Sequence, residues 1–398
     1  MPFSIEVKKP KVQLIIIGLI AALMGIGQNG LLVSLPFLVT HSAFSLPTWS
    51  IIIAIGSFLF LPSAPFWGRY SDNNGPKSVV IQALLGMSVS FFLLLSFAYL
   101  SNSYPSSANY WFVGLIVARI IYGCTVAGMV PASQHWAILL CGENNRLKAI
   151  TSVSIGLSLG RLIGPVLAII LLKIGPFSSL VMMVIFPFLA LIAAVCLPNP
   201  LQIKKVKSKA VTVHSLVPST ALIPYLLTGL FLCLTIALLQ YSFSPLIESV
   251  THWSSNKVSD TIGLLLTISA AVTLMTQIHV IKKKKIQLPT MYRFGSLFLL
   301  VGFLFFLIPN IWTLSFAMTL CACGSALLVP AYTSKATEMD LKNPGTVAGY
   351  ISMSHTLGYG VASLLAYSST LSPFYPIYIC ILFSSGITAI AFLAPINK

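Results

Sequence analysis

The sequence predicts an all-α integral membrane protein with twelve transmembrane helices in two six-helix bundles. Of its 398 residues, 57% are hydrophobic and only 8% are charged, and the mean hydropathy is +0.94. A soluble core of this size would need far more polar surface to cover it. Twelve apolar runs each reach the roughly 20 residues that a spanning helix needs, and the two halves of the chain echo one another.

The first apolar run is expected to remain in the protein as a span. It follows Lys8, Lys9 and Lys11, it is longer than the roughly 7–15 residues of a signal-peptide core, and no small-residue cleavage site follows it. In chain order, the expected spans are 14–39, 47–67, 79–100, 110–140, 148–173, 178–197, 222–247, 258–280, 289–309, 313–334, 345–370 and 375–394.

A polar segment with four lysines separates the sixth and seventh spans, and it is too short to be a domain. The tripeptide Val130-Pro131-Ala132 in the fourth span reappears as Val329-Pro330-Ala331 in the tenth, 199 residues later, which favours a 6+6 repeat. We therefore expect an N-terminal bundle at 1–197, a cytoplasmic basic linker at 198–221 and a C-terminal bundle at 222–398.

Basic residues are distributed unevenly between the two ends of the spans. With both termini in the cytoplasm, nineteen basic residues fall at the inner face and two, Lys173 and Lys257, at the outer face. The positive-inside rule therefore accounts for most of the net charge of +16, and no nucleic-acid partner is expected. The two remaining basic residues, Arg119 and Arg161, lie inside spans.

The sequence contains no recognisable catalytic or metal-binding pattern. Seven cysteines, an odd number, are scattered mostly through apolar runs and form neither a disulfide framework nor a CxxC pair. HExxH, paired carboxylates and a nucleotide-binding loop are all missing from the sequence. We expect no enzyme activity, no cofactor and no metal.

A polar segment between the second and third spans is expected to form a short hinge. It reads Gly68-Arg-Tyr-Ser-Asp72-Asn-Asn-Gly75-Pro-Lys77. Its two glycines allow the chain to reverse, and Asp72 could fasten the positive N-terminal end of a neighbouring helix.

The hinge resembles the loop signature of the major facilitator superfamily, G-x-x-x-D-[RK]-x-G-[RK]-[RK]. Asn73 and Pro76 replace basic residues of that signature. The resemblance implies that Asp72 holds the start of the eleventh span, near Gly345, when the inner side is closed. It assigns gating roles to Gly68, Asp72, Gly75 and Lys77.

Two further motifs strengthen the resemblance. Gly156-x-x-x-Gly160-x-x-x-Gly164-Pro165 in the fifth span resembles the glycine-rich motif of the antiporter branch, although Ala168 and Ile169 replace its last glycines. Such a stripe also suits ordinary small-residue helix packing. Arg119-x-x-x-Gly123 resembles the fourth-helix signature. Together the motifs point to the 12-span drug:proton antiporter branch and assign gating to Gly156, Gly160, Gly164 and Pro165.

The two intramembrane arginines predict a site for an anion. Each costs about 2.5–3.5 kcal/mol on insertion scales, and no acidic residue lies in the middle of a span to neutralise them. The alternative is that carbonyls, hydroxyls and water satisfy them structurally, and this alternative applies more to Arg119 than to Arg161. A planar guanidinium also suits a carboxylate or phosphate. The further candidate substrate-binding residues are Gln28, Asn29, Gln240 and Tyr241.

His355 is the candidate proton-coupling residue. It lies ten residues into the eleventh span, about 15 Å deep at 1.5 Å per residue, and histidine titrates near neutral pH. The alternative is a hydrogen-bonded packing residue.

These observations predict a secondary transporter, expected to be a proton-coupled exporter of a small organic anion such as a carboxylate siderophore or a metabolite. The alternatives are a multidrug efflux antiporter, a sugar or nutrient importer and, in a different class, a non-transporting membrane sensor. The expected partners are the small-molecule substrate, protons and the lipid bilayer. We expect a monomer in a bacterial inner membrane.

The orientation is testable by cysteine labelling in a variant that lacks the seven native cysteines. A cysteine at Ser208, in the predicted cytoplasmic linker, should resist an impermeant thiol reagent in intact cells, whereas a cysteine at Ser103 should react. Permeabilised cells are the control, because both sites should then react. Labelling of Ser208 alone in intact cells would invert the topology.

Overall fold

The structure, a computed structural model, describes residues 10–199, 218–253, 255–281 and 286–393, and within these ranges it contains helices and no strand. Most of the predicted linker, including Ser208, lies outside the described residues, so the 198–221 boundary stays a prediction.

The chain divides into two compact units. The first comprises Met1–Val217 and Leu341–Ser352, and the second comprises Pro218–Asp340 and Met353–Lys398. The helices of the first unit are α1 (Pro10–Thr40), α2 (Leu46–Asn74), α3 (Pro76–Ser103), α4 (Ala108–Val126), α5 (Met129–Cys141), α6 (Arg146–Leu172) and α7 (Ser178–Cys196), together with the first half of α12 (Pro344–Leu365). Those of the second are α8 (Ile223–Thr251), α9 (Ser255–Thr276), α10 (Leu288–Phe305), α11 (Ile311–Met339), the second half of α12, and α13 (Tyr375–Leu393).

Eleven segments of the described ranges are long and apolar enough to cross a membrane, and α4 and α5 together form one of them, Pro105–Cys141. Helix α12 is long enough, at 22 residues, but it is not among the eleven. Its sequence is rich in glycine, serine and threonine and includes His355, which lowers its hydropathy. With α12 counted, the helices match the twelve predicted spans, and the predicted fold class is confirmed.

The predicted ten-residue hinge is wrong in its extent. Helix α2 continues through Asn74, Pro76 opens α3, and the break falls at Gly75 alone. Gly75 has φ 92°, a backbone angle that favours glycine, so this residue turns the chain. Gly68 lies inside α2 and contributes close packing instead of a turn. Residues 68–74 contain no proline, so no backbone donor is lost and the helix continues until Gly75.

The glycine stripe of α6 packs directly against α1. A Cβ atom at Gly156 would lie 1.9 Å from the carbonyl oxygen of Gly18, and one at Gly160 would lie 2.0 Å from that of Ala22. Since real Cβ atoms do not approach other atoms so closely, the two helix backbones touch only because these positions carry no side chain. The structure therefore shows a packing role for the stripe, and its gating role stays a prediction.

The packing role of the stripe is testable by replacing one of its glycines with alanine, which adds a single methyl group. Gly160→Ala should lower the thermal unfolding temperature of the purified protein, because overpacking of this kind costs about 1–3 kcal/mol. Gly263→Ala is the matched control, since a Cβ there meets nothing within 4 Å. Equal stability of the two variants would contradict the close α1–α6 packing.

Candidate functional site

Asp72, near the end of α2, binds the first turn of α12. Its Oδ1 accepts a hydrogen bond from the Gly345 N–H at 2.8 Å. Its Oδ2 accepts bonds from the Thr346 N–H at 2.7 Å and from the Thr346 hydroxyl at 2.6 Å. The Asp72 side chain is only 2% exposed. An anionic acceptor at a helix N-terminus is favoured both by the unpaired N–H groups and by the helix dipole.

These bonds complete the start of α12. Pro344 opens the helix and has no N–H, and the Val347 N–H bonds to the Asn343 carbonyl at 3.2 Å. The N–H groups of Gly345 and Thr346, between these two residues, bond to Asp72, so each N–H of the first turn has an acceptor. A carboxylate from another helix thus does the work of a capping side chain, a role worth about 0.5–2 kcal/mol.

Close backbone packing brings α2 and α12 together around this contact. A Cβ at Gly68 would lie 2.2 Å from the Gly345 oxygen, and one at Gly349 would lie 2.5 Å from the Ala64 oxygen. One turn further along, Arg69 donates a hydrogen bond to the Tyr350 hydroxyl, with its guanidinium carbon 5.6 Å from the centre of that ring. The two helices are therefore joined by small residues, a capping carboxylate and a cation–π contact.

A buried histidine of α5 adjoins the same carboxylate. His135 Nδ1 lies 3.7 Å from Asp72 Oδ1 and 2.8 Å from the Ser71 hydroxyl oxygen. Its side chain is 8% exposed. The α12 cap therefore combines groups from α2, α5 and α12.

Lys77, the fourth predicted gating residue of the hinge, contacts a different helix end. Its Nζ donates to the Val195 carbonyl at 2.9 Å and also to the Leu197 carbonyl. These carbonyls lie at the C-terminal end of α7, where a cation is favoured by the helix dipole. The short connection at Gly75 thus places a carboxylate on one helix N-terminus and an ammonium on another helix C-terminus.

Asn29 supports the proline in α6. Pro165 has no N–H, so the carbonyl of Arg161, four residues earlier, loses its usual helical donor. The Asn29 side-chain Nδ2 donates to that carbonyl at 3.1 Å. Asn29 therefore uses one amide hydrogen for a hydrogen bond to the backbone of α6. Binding of substrate by Asn29 stays a prediction.

Arg119 is buried against an aromatic ring. It is 3% exposed, and its guanidinium carbon lies 5.1 Å from the centre of the Tyr122 ring. Phe60 and Phe91 pack on that ring at 5.9 and 5.7 Å between centroids. The Arg119 Nε has no hydrogen-bond partner, and no carboxylate in the described ranges forms an ion pair with this side chain.

The structure does not place Arg161 in the same surroundings as Arg119. Arg161 is exposed and lies on α6, which packs chiefly on α1, whereas Arg119 lies on α4, which packs on α2 and α3. A shared ligand stays a prediction. Of the other predicted substrate-binding residues, Gln28 is half-buried, and Gln240 and Tyr241 are exposed on α8.

His355, in the second unit, lies between α8 and α11. Its Nε2 hydrogen-bonds to the hydroxyl of Tyr332, a residue with no exposed surface. The two rings are nearly perpendicular, at 86°, with centroids 5.9 Å apart. On the α8 side, a Cβ at Gly229 would lie 3.1 Å from Nε2. The imidazole is therefore held by the Tyr332 phenol on one side and lies close to Gly229, which has no side chain, on the other.

Sequence reasoning missed the residues that surround these sites. Thr346 carried a usable signal, because it lies in the first turn of a predicted span, where a hydroxyl can cap. Tyr332 directly follows the repeated Val-Pro-Ala tripeptide, and that position offered a weaker signal. His135 and Tyr350 carried none, since only the fold brings them to α2.

One known family matches most of the chain, and curated relatives match part of it. A model of the Major Facilitator Superfamily matches residues 17–363. The multidrug resistance protein MdtG of Proteus mirabilis is 30% identical over 128 residues, which is 32% of this chain and 29% of the relative. MdtG of Dickeya zeae is 29% identical over 128 residues, 32% of this chain and 28% of the relative. The chain thus spans less than a third of the length of these curated relatives.

Solved structures match over nearly the whole chain. The human organic anion transporter MFSD10 (TETRAN) aligns with a TM-score of 0.73 and 18% identity, covering 99% of this chain and 100% of that one. The transporter FucP in its outward conformation gives 0.75 and 13%, covering 98% and 100%. A bacterial homologue of the iron transporter ferroportin gives 0.74 and 13%, covering 98% and 100%. At these identities the likeness shows the fold.

The α12 cap is testable with Asp72→Asn. An amide of similar size has no charge and one acceptor oxygen with two lone pairs, so at least one of the three hydrogen bonds from Gly345 and Thr346 is lost and the other two are weakened. Amide hydrogen exchange in the peptide that contains these residues, followed by mass spectrometry, should speed up about tenfold or more, given about 1.5–3 kcal/mol for a charged hydrogen bond.

Glu338→Gln is the matched control for that variant. It makes the same chemical change in an exposed i,i+3 pair with Lys335, and pairs of this kind contribute little. Unchanged exchange at 345–346 in Asp72→Asn, with both variants folded, would show that the carboxylate does not hold α12.

Proposed function

This chain belongs to the major facilitator superfamily of membrane transporters, and on that premise we propose that it is a proton-coupled exporter of a small organic anion that works by alternating access. The relatives from bacteria fit a bacterial inner membrane. We assign substrate recognition to the intramembrane arginines, proton coupling to His355 and gating to Asp72.

The proposal of an anionic substrate rests on a buried positive charge without a partner acid. Arg119 has an unpartnered Nε and forms no ion pair with a carboxylate of the described residues. Tyr122 offsets part of the charge through its ring, but a cation–π contact is worth only about 0.5–2 kcal/mol. Since the cost of inserting an arginine is larger, a substrate carboxylate would be favoured near it.

Arg161 is the arginine that we assign to direct contact with the substrate. It is exposed, whereas Arg119 is buried. Its carbonyl is fixed by Asn29 at the proline of α6, so the guanidinium projects from a defined turn. A planar guanidinium can bind a carboxylate with two parallel hydrogen bonds, which a lysine cannot. Arg119 then adds a positive field and, after rearrangement, a second contact.

Gating is assigned to the contact between Asp72 and α12. Any movement of the start of α12 away from α2 must break the three hydrogen bonds at this carboxylate. Those bonds satisfy N–H groups that have no partner within the helix, so the free-energy cost of separating α12 from α2 is concentrated at Asp72. Such a contact suits a conformational change in which α12 is held against α2 in one state and released in the other.

A multidrug efflux antiporter is the second candidate, and the partial similarity to MdtG favours it. That similarity covers about a third of this chain. The human organic anion transporter has the same fold, and the substrate class in its name agrees with the first candidate. At 18% identity this likeness supports the fold alone. The two candidates differ in the charge of the ligand that stabilises the protein.

Ligand binding to the purified protein separates these candidates. Citrate, glucose and tetraphenylphosphonium serve as anionic, neutral and lipophilic cationic probes in calorimetry or thermal-shift measurements. We expect stabilisation by the anion, weaker binding in Arg161→Lys and a loss of about 10- to 150-fold in Arg161→Gln, which corresponds to a charged hydrogen bond of about 1.5–3 kcal/mol.

Lys173→Gln is the control for that series, since it removes an exposed charge at the far end of the same helix. Stabilisation by the lipophilic cation alone, or full anion affinity in Arg161→Gln, would contradict the proposed anion site and favour multidrug efflux.

A further inference from the structure

We infer that the proton-coupling site is a pair, in which the phenol of Tyr332 positions His355 and hydrogen-bonds to it in both protonation states. This inference rests on the proposed proton coupling and adds to it a residue that the sequence did not identify. It is carried by the hydrogen bond between Tyr332 and His355 Nε2, by the complete burial of Tyr332 and by the close approach of Gly229.

The geometry restrains the imidazole from two sides. Tyr332, on α11, meets Nε2 with its hydroxyl, and the two rings form an edge contact at 86°. Gly229, on α8, leaves so little space that a Cβ would lie 3.0 Å from His355 Cδ2 and 2.9 Å from the Ser354 hydroxyl. A ring held in this way keeps Nε2 on the phenol, so proton uptake is not followed by loss of the contact.

The chemistry of a phenol suits a group that changes its charge. A hydroxyl both donates and accepts hydrogen bonds. When Nε2 carries no proton, the Tyr332 O–H donates to it; when Nε2 carries one, the N–H donates to the phenol oxygen. Uptake of one proton converts imidazole to imidazolium, and the contact is kept. Phenylalanine would offer neither option.

Titratable groups of three helices act on Tyr332. They are Cys233 of α8, Tyr292 of α10 and Tyr359 of α12. These are a thiol and two phenols, and none of the three is a carboxylate. His355 is half-buried and Tyr332 is enclosed, so the histidine receives the proton and the phenol orients it.

The pair makes a prediction for proton binding that does not depend on a known substrate. The full-length protein in lipid nanodiscs, with ¹³C-labelled histidine, is titrated by NMR, and the signal missing from His355→Gln identifies His355. Tyr332→Phe should move the midpoint of that signal to lower pH by about one unit, because hydrogen bonds to charged groups are stronger than neutral ones. Tyr378→Phe, at an exposed phenol of the same unit, should not move it.

A second variant guards against misfolding of Tyr332→Phe. Gly229→Ala keeps both partners and places a methyl group against Nε2, so it should shift the same midpoint. An unshifted midpoint in every variant of the pair that folds would overturn the inference.

Transport separates this inference from the proposed coupling. Uptake of the anion identified by binding is measured in proteoliposomes at several pH values. A shifted transport profile in Tyr332→Phe, with the pH-gradient dependence lost in His355→Gln, supports both. Shifted NMR midpoints with an unchanged transport profile support the pair and contradict coupling through it. A loss of coupling in His355→Gln with no change in either measurement for Tyr332→Phe supports coupling and contradicts the pair.

Discussion

The Asp72 carboxylate takes the place of water at a buried helix N-terminus. A helix start leaves N–H groups without acceptors, and burial inside the protein keeps water away from them. In α12 the problem is solved by a proline without an N–H, by one local carbonyl and by a carboxylate from α2. The close packing of Gly68 on Gly345 is what lets the carboxylate reach, so the small residues and the charge are parts of one arrangement.

Two other charged side chains are also held by neutral partners. Lys77 lies on open carbonyls at the end of α7, and Arg119 lies on an aromatic ring. These two side chains meet partial charges of backbone or ring instead of an opposite full charge. A guanidinium that is already in a fixed ion pair would gain less free energy from binding a substrate carboxylate. Neutral partners hold the guanidinium in place without giving it an opposite full charge.

The sequence was sufficient for the fold and for the outline of the cap, because both depend on local signals. Apolar length predicts spans, and the spacing of Gly68, Asp72 and Gly75 resembles a known motif. It misjudged the hinge, since nothing in residues 68–74 shows whether polar residues end α2 or extend it. It missed His135, Tyr350 and Tyr332, whose partners lie 63, 281 and 23 positions away in the chain (Asp72, Arg69 and His355) and are brought close only by the fold.

The amide of Asn29 and the ring of Pro165 are two halves of one structural solution. The proline removes a helical donor from the Arg161 carbonyl, and the asparagine restores it from a neighbouring helix. Without Pro165, the Arg161 carbonyl would keep its helical donor and would not need Asn29. Without Asn29, the same carbonyl would lack this donor. Their evolution should therefore be linked: where a relative carries a residue with an N–H at the position of Pro165, selection no longer needs an amide on α1, and an apolar residue can replace it.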